Sequence, residues 1–141
     1  MIEIHFESQI RKISESEIQR VVEGILADYD IRSSEIGVIF IDDNYITDLN
    51  IRYFDKNRPT DVISFPLSDE NTETLEGEIY VSTETAKIQA DEYQVSWENE
   101  LMRLVIHGLL HILGLDDQTA EEREKMTSKE DYYLKTFYNT K

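Results

Sequence analysis

His107 and His111 stand four residues apart inside an apolar run from Leu104 to Leu113, and Gly114 and the pair Asp116-Asp117 follow closely. The run reads as a helix, on which residues four apart stand one turn above each other on a common face. Two imidazoles so placed can converge on one metal ion. Glycine is the usual residue where a helix ends in a left-handed turn, so Gly114 predicts that the chain reverses there. The reversal brings a third ligand from the Asp116-Asp117 pair back toward the histidines. Two histidines, one carboxylate and an open fourth position for water make the coordination of a catalytic zinc site. The bland alternative is a helix with two buried, hydrogen-bonded histidines and no metal. Against it, two of the chain's three histidines fall at this spacing, with a glycine and acids at fitting offsets.

Zinc with an open position polarises a substrate oxygen and draws the pKa of a bound water toward neutrality, which suits hydrolysis of an ester, amide or phosphodiester. Zinc peptidases of the His-Glu-x-x-His kind place their general base directly after the first histidine. Here that residue is Gly108, which has no side chain. A conventional zinc peptidase therefore lacks its base.

The remaining chain predicts what carries this helix. Ile2, Ile4 and Phe6 alternate with Glu3 and His5, the period of a half-buried strand, which leaves His5 on the polar face. Ser14 and Glu17 read as a capping box ahead of the stripe Ile18, Val21, Val22, Ile25 and Leu26. Ile36 to Ile41 suits a buried strand, and Asp42-Asp43-Asn44 caps a short helix with Ile46, Leu49 and Tyr53 inward. Val62 to Phe65 is a strand closed by Pro66. Residues 68–76 are polar, acidic and aperiodic, the pattern of a mobile loop. A strand over 78–82 follows, then a helical pattern from Thr83 to about Tyr93 through Ala86, Ile88 and Ala90. Ser96 caps the histidine helix, and Thr119 with Glu122 opens a last helix running to about Tyr138. The expected fold is α/β (α+β): one domain over 1–141, a small four-stranded mixed sheet covered by about five helices, with a zincin-like His-x-x-x-His metal helix crossing it.

The absence of cysteine excludes disulfides and thiolate ligands. A net charge of −16 repels nucleic acid at long range, so a polyanionic substrate needs a local basic groove, a metal or a partner. Arg52, Lys56 and Arg58 form such a locally basic tract, a pattern that also suits an ordinary solvated loop. No segment approaches the roughly 18 uninterrupted apolar residues of a membrane helix. The amino terminus lacks the basic start and apolar run of a signal peptide. The expectation is a cytoplasmic protein without a membrane role.

The histidine stretch resembles the signature of the YbeY family, H-G-x-L-H-x-x-G-Y-D-H. Leu49-Asn50, Tyr53 and Pro59-Thr60-Asp61-Val62-Ile63-Ser64-Phe65-Pro66 resemble its L-N-x-x-Y-R and P-T-D-V-L-S-F-P segments. Gly77-Glu78-Ile79 with Ser82 is similar to its G-D-I-x-I-S strand, so the resemblance runs over about residues 36–117. It implies a bacterial single-strand-specific metallo-endoribonuclease of the ribosome, implicated in maturing the 3′ end of small-subunit ribosomal RNA and in ribosome quality control. It also implies one Zn²⁺ held by three residues of the histidine motif. The implied partners are single-stranded RNA, ribosomal RNA in particular, and the small ribosomal subunit or its proteins.

Two departures from the family pattern bear on the site. Asp117 replaces the third metal histidine, and Asp116 aligns with the family's own aspartate. The resemblance thus makes His107, His111 and Asp117 the ligands and Asp116 a supporting residue. A carboxylate in third place binds zinc at nearly the same distance, makes the ion less positive and tolerates harder cations better. Phe54 stands where the family carries an arginine that holds substrate phosphate, which leaves Arg52 and Arg58 as candidate phosphate contacts. No residue is assigned as general base. Two other readings compete with the nuclease: a ribosome assembly factor stabilised by structural zinc, and a metal hydrolase of another substrate. A fourth protein ligand such as Asp116 would favour the first. A carboxylate from another segment replacing the base missing at Gly108 would favour the second.

Overall fold

The strand at the centre of the sheet is apolar on both sides because both sides are covered. In the computed structural model, which describes residues 1–7, 13–69 and 73–139, β2 (Ser34–Ile41) sends Ile36, Val38 and Phe40 into one layer and Ile39 and Ile41 into the other. Its two edges are filled by parallel partners. β1 (Ile2–Phe6) sets Ile2 opposite Ile36 and Phe6 opposite Phe40, and β4 (Leu75–Ser82) sets Leu75 opposite Ser34 and Ser82 opposite Ile41. β3 (Val62–Pro66) joins β4 antiparallel with Val62 opposite Val81, giving the order β1-β2-β4-β3. This is the mixed four-stranded sheet expected, and Pro66 is tolerated because β3 is an edge.

Helices α1 (Glu15–Asp28) and α4 (Trp97–Ile112) pack on one face of the sheet and form the larger core with Phe40, Ile79 and Val81. α2 (Asp43–Phe54) covers the other face through Ile46 and Leu49. α3 (Thr83–Tyr93) leans on α4, and α5 (Ala120–Tyr133) adds Met126 and Tyr133 to the larger core. Each helix starts where a side-chain oxygen satisfies a free N–H: Ser14, Asp42, Ser82, Ser96 and Thr119 all cap in this way. Thr119 and Glu122 complete the capping box expected of them, whereas Ser14 supplies only its first half, a 3.4 Å bond from the Glu17 N–H.

Three local readings change. Strand β4 begins at Leu75 rather than after Gly77, because Leu75 and Glu76 continue the parallel ladder opposite Ser34 and Glu35, which an aperiodic sequence does not advertise. Residues 70–72 of the expected loop lie outside the described residues. Tyr53, read as inward, is 58% exposed, and Ile88, part of the helical pattern of α3, is 56% exposed, since α2 and α3 bury narrower stripes than their apolar residues suggest. The last helix does not run evenly to Tyr138; it widens into a π-type turn over Leu134–Tyr138, closed by the Asn139 N–H on the Leu134 carbonyl. Among the described residues no helix is long and apolar enough to cross a membrane.

Candidate metal centre

α4 lies closer to the sheet than side chains would normally permit. A Cβ at Gly108 would sit 2.5 Å from Ile79 Cγ2 and 3.3 Å from Val62 Cγ2. Position 108 therefore faces β4 and β3, and the glycine sets the depth at which the helix rests. A side chain there would meet the sheet and not a substrate. His107 and His111, off this contact line, reach the open side, each half-buried.

The helix ends as its sequence predicts. Gly114 adopts φ +103°, the Gly114 N–H bonds to the His111 carbonyl at 3.0 Å, and the Leu115 N–H bonds to the Leu110 carbonyl at 3.0 Å. This paired closure reverses the chain and returns Asp117 across the histidines. His107 Nε2 and His111 Nε2 are 3.1 Å apart, and each lies 3.4 Å from Asp117 Oδ2. In a tetrahedral zinc site with bonds of about 2.0–2.1 Å, neighbouring ligand atoms stand about 3.3–3.4 Å apart. The three side chains thus fit one face of such a tetrahedron, with the fourth corner left to the cleft. With both Nε2 atoms unprotonated, the two lone pairs and the carboxylate repel one another, so the group draws in a positive charge, either a proton shared between the rings or a metal ion. Asp116 is not part of the group: its Oδ1 accepts the Asp117 N–H at 2.9 Å and so braces the turn. Among the described residues no other cluster of at least three His, Asp or Glu side chains converges in this way.

A second layer holds the first, and the sequence alone did not single it out. His107 Nδ1 donates to Glu130 Oε2 at 2.5 Å, because an ionised carboxylate only accepts. This bond leaves the Nε2 lone pair free for a metal. Glu130, on α5, is buried and is itself gripped by Arg103, whose guanidinium reaches Glu130 Oε1 at 2.9 Å and Asp131 Oδ1 at 2.5 Å. Burial lowers the His107 pKa, but the Glu130 hydrogen bond and charge more than offset it, and Asp117 and Asp61 add to the net rise. Burial likewise lowers that of Arg103, and its two carboxylate partners leave it raised overall. Glu100, one further turn down α4, is buried with no hydrogen-bond partner for Oε1 among the described residues. Burial pushes its carboxyl up to about 7, against the pull of Arg103 and with a further push from Asp61 and Glu130. A glutamate in register on α5 was findable from its helical spacing to Met126 and Tyr133, but nothing in the sequence says that it meets His107.

The open corner faces a cleft of about 540 Å³ lined by the three side chains together with Asn50, Phe54, Lys56, Asp61 and Ser64. Lys56 is the only cation among its lining residues. Arg52 lines a separate groove with Tyr45 and Asp48, and Arg58 lines neither. What Arg58 does supply is its carbonyl, which accepts from the buried Asn50 Nδ2 at 2.9 Å and anchors the loop that carries Lys56. Asp61 is a carboxylate of the cleft from another segment. Both its oxygens are engaged, Oδ1 by the Val62 N–H at 2.7 Å and Oδ2 by Gln89 Nε2 at 3.2 Å.

A family model described as Endoribonuclease YbeY matches residues 3–138. The chain belongs to the YbeY endoribonuclease family. A Flavobacterium psychrophilum protein named Endoribonuclease YbeY is 36% identical over 140 residues, spanning 98% of this chain and 97% of its own. A Lysinibacillus sphaericus protein of the same name is 43% identical over 114 residues, or 74% of this chain and 73% of its own. The solution structure of a Thermotoga maritima protein shares the fold at a TM-score of 0.67 and 29% identity, covering 99% of this chain and 90% of that one. The resemblance seen in the short motifs thus extends to the family as a whole, including β1, α1 and α5.

Proposed function

We propose that this chain is a zinc-dependent endoribonuclease that cuts single-stranded RNA. The observation that carries the reading is the triangle of His107, His111 and Asp117 at tetrahedral spacing, open on one side to a cleft with a lysine at its wall. His107, His111 and Asp117 would hold the ion. When bound, it supplies Lewis acidity and charge neutralisation at a phosphodiester. Lys56 places a positive charge beside the phosphate in the cleft. Arg52 and Arg58 then serve as phosphate contacts for neighbouring nucleotides, outside the cleft itself. Glu130 holds the His107 ring in one tautomer and one orientation.

Two details favour this over its rivals. Asp116 is turned into the backbone, so the described ligand set has three members and leaves a coordination position facing the cleft, as catalysis requires. The cleft's Asp61 is committed to the turn into β3 and to Gln89, which argues against its replacing the base absent at Gly108 in a peptidase. The acidic chain suits action on ribosomal RNA within the small subunit, at 3′-end maturation and quality control in the cytoplasm. There a basic ribosomal protein would offset the −16 charge that opposes free RNA binding.

The test is cleavage of a defined single-stranded RNA by metal-stripped protein resupplied with Zn²⁺, Mn²⁺ or Mg²⁺. Zinc should restore cleavage, and His111→Ala should lose it while retaining the circular dichroism of the parent. No recovery with any ion would leave the assembly-factor reading ahead. A 2′,3′-cyclic phosphate product would assign the attack to the RNA's own 2′-hydroxyl instead of water.

A further inference from the structure

We propose that the aromatic rings along α2 and the adjoining strands form a base-stacking platform for the RNA strand whose backbone enters the metal cleft. The ligand follows from the nuclease reading; the platform follows from geometry. Phe54 lies near-parallel to Phe65 with centroids 6.3 Å apart, and Tyr53 meets Phe65 edge-on at 5.0 Å. Phe65 meets Tyr80 edge-on at 5.8 Å, and Tyr80 stacks with Tyr45 at 6.3 Å. Five rings thus run in contact from the cleft, which Phe54 lines, to the start of α2.

Phe65 and Tyr80 rest on the small core under α2, which accounts for their position. It does not account for Tyr45, Tyr53 and Phe54, which remain 44%, 58% and 48% exposed. Each of the three touches Phe65 or Tyr80 with part of its ring and leaves the rest to solvent. Proteins that bind single strands combine rings that stack on bases with cations that track the backbone. Both occur here: Lys56 shares the cleft with Phe54, and Arg52 shares a groove with Tyr45. Asp42 and Asp48 share the groove of Arg52, and Asp61 and Asp117 the cleft of Lys56. The two cations thus mark where single phosphates could sit between acids, a spacing that suits a strand held mainly by its bases over an apolar peptide. Stacking is also the attraction that a chain of charge −16 can best use, because it does not depend on net charge. Phe54, in the place where the family resemblance puts an arginine, then exchanges a phosphate contact for the first base contact.

Stacking on an aromatic side chain contributes enough for roughly a tenfold loss of affinity when one ring is removed. The test uses the metal-free full chain, which lacks the ion that cutting requires, at low salt, and single-stranded RNA about ten nucleotides long carrying 2-aminopurine, whose fluorescence falls on stacking. The parent protein should quench the probe, Tyr45→Ala should bind roughly tenfold more weakly with reduced quenching, and Tyr45→Phe should restore both. With zinc restored, Tyr45→Ala should raise KM for that RNA and leave its kcat unchanged. Unaltered affinity and quenching in a folded Tyr45→Ala and Phe54→Ala pair would overturn the platform, and would leave this face to an apolar partner such as a ribosomal protein segment. The nuclease reading fails separately: ring-dependent quenching without cleavage under any metal would sustain the platform and sink the enzyme, and cleavage without quenching would do the reverse.

Discussion

Removing the Glu130 carboxylate should loosen the metal centre from behind without touching a ligand. Glu130 Oε2 accepts a hydrogen bond from His107 Nδ1 at 2.5 Å, and Oε1 accepts one from an Arg103 N–H at 2.9 Å, so one side chain fixes the tautomer of a proposed ligand and closes an ion-pair network. Loss of such an outer partner typically costs tenfold to 100-fold in metal affinity, or about 1.4–2.7 kcal/mol. Glu130→Ala should therefore raise the zinc dissociation constant by about that factor. Stability falls as well, but less than for an isolated buried charge, since Arg103 keeps Asp131 and is partly exposed. We expect about 2 kcal/mol, or a drop of roughly 5–10 °C in the Tm of the metal-free protein. Glu130→Gln should fall between: its one oxygen can face His107 or Arg103 but not both, so one of the two contacts is lost. Competition against a chromophoric chelator measures the affinity. It is measured at several pH values from 7 upward, because the raised His107 pKa makes protons compete with the metal and the variant relieves that competition. If Glu130→Ala binds zinc as tightly as the parent while its Tm falls, Glu130 is a structural ion-pair partner only, and the account of the His107 tautomer is wrong.

Three further expectations concern the supporting helix and the third ligand. Glu100 has a folded pKa near 7 against about 4.5 unfolded, so its contribution is fully present below about 4.5 and is lost as pH rises to about 7. Glu100→Gln should thus stabilise metal-free protein by up to about 3 kcal/mol at pH 8 and hardly at all at pH 4.5; equal urea midpoints for variant and parent at pH 8 would contradict this. Gly108→Ala should cost about 1–2 kcal/mol despite the better helix propensity of alanine, through its clash with Ile79, and Ile79→Ala should relieve part of that cost. Strict additivity of the two changes would show that the helix is not limited by this contact. Asp117→His should keep zinc-induced stabilisation and lose that from Mn²⁺, because an imidazole suits the harder ion less. Identical Tm shifts with both ions in both proteins would remove Asp117 from the coordination sphere.

What the sequence made legible follows from the range of the interactions involved. The candidate triangle is nearly local: a turn of helix, a glycine reversal and three more residues bring His107, His111 and Asp117 together, so spacing points to the histidines and to the Asp116-Asp117 pair, and the family resemblance picks Asp117 from that pair. The strands and caps are local too, apart from the start of β4, which only its ladder to β2 defines. Glu130 lies 23 residues beyond His107 and depends on how α5 lies across α4, an angle written in packing rather than in periodicity. The same limit applies to the cations. Arg52, Lys56 and Arg58 look equivalent in a row, yet α2 ends at Phe54 and the left-handed residue Asp55 turns the chain, so Lys56 lines the cleft and Arg52 another groove.

That division also explains why Gly108 could be read correctly for an incomplete reason. Its missing side chain removes a peptidase base, as sequence reasoning says. The structure adds that position 108 faces Ile79 and Val62, so a glutamate placed there would have met the sheet and not the substrate. The depth of α4 against the sheet and the identity of the chemistry are consequently one constraint. Bringing the histidine helix this close to β4 lets Asp61, at the start of β3, and Lys56, on the loop before it, share a cleft with the ligands. It also denies that helix face to any catalytic residue. Any protein side chain that does acid–base work at the site therefore comes from the cleft's other walls, beside what a bound ion or the RNA itself supplies.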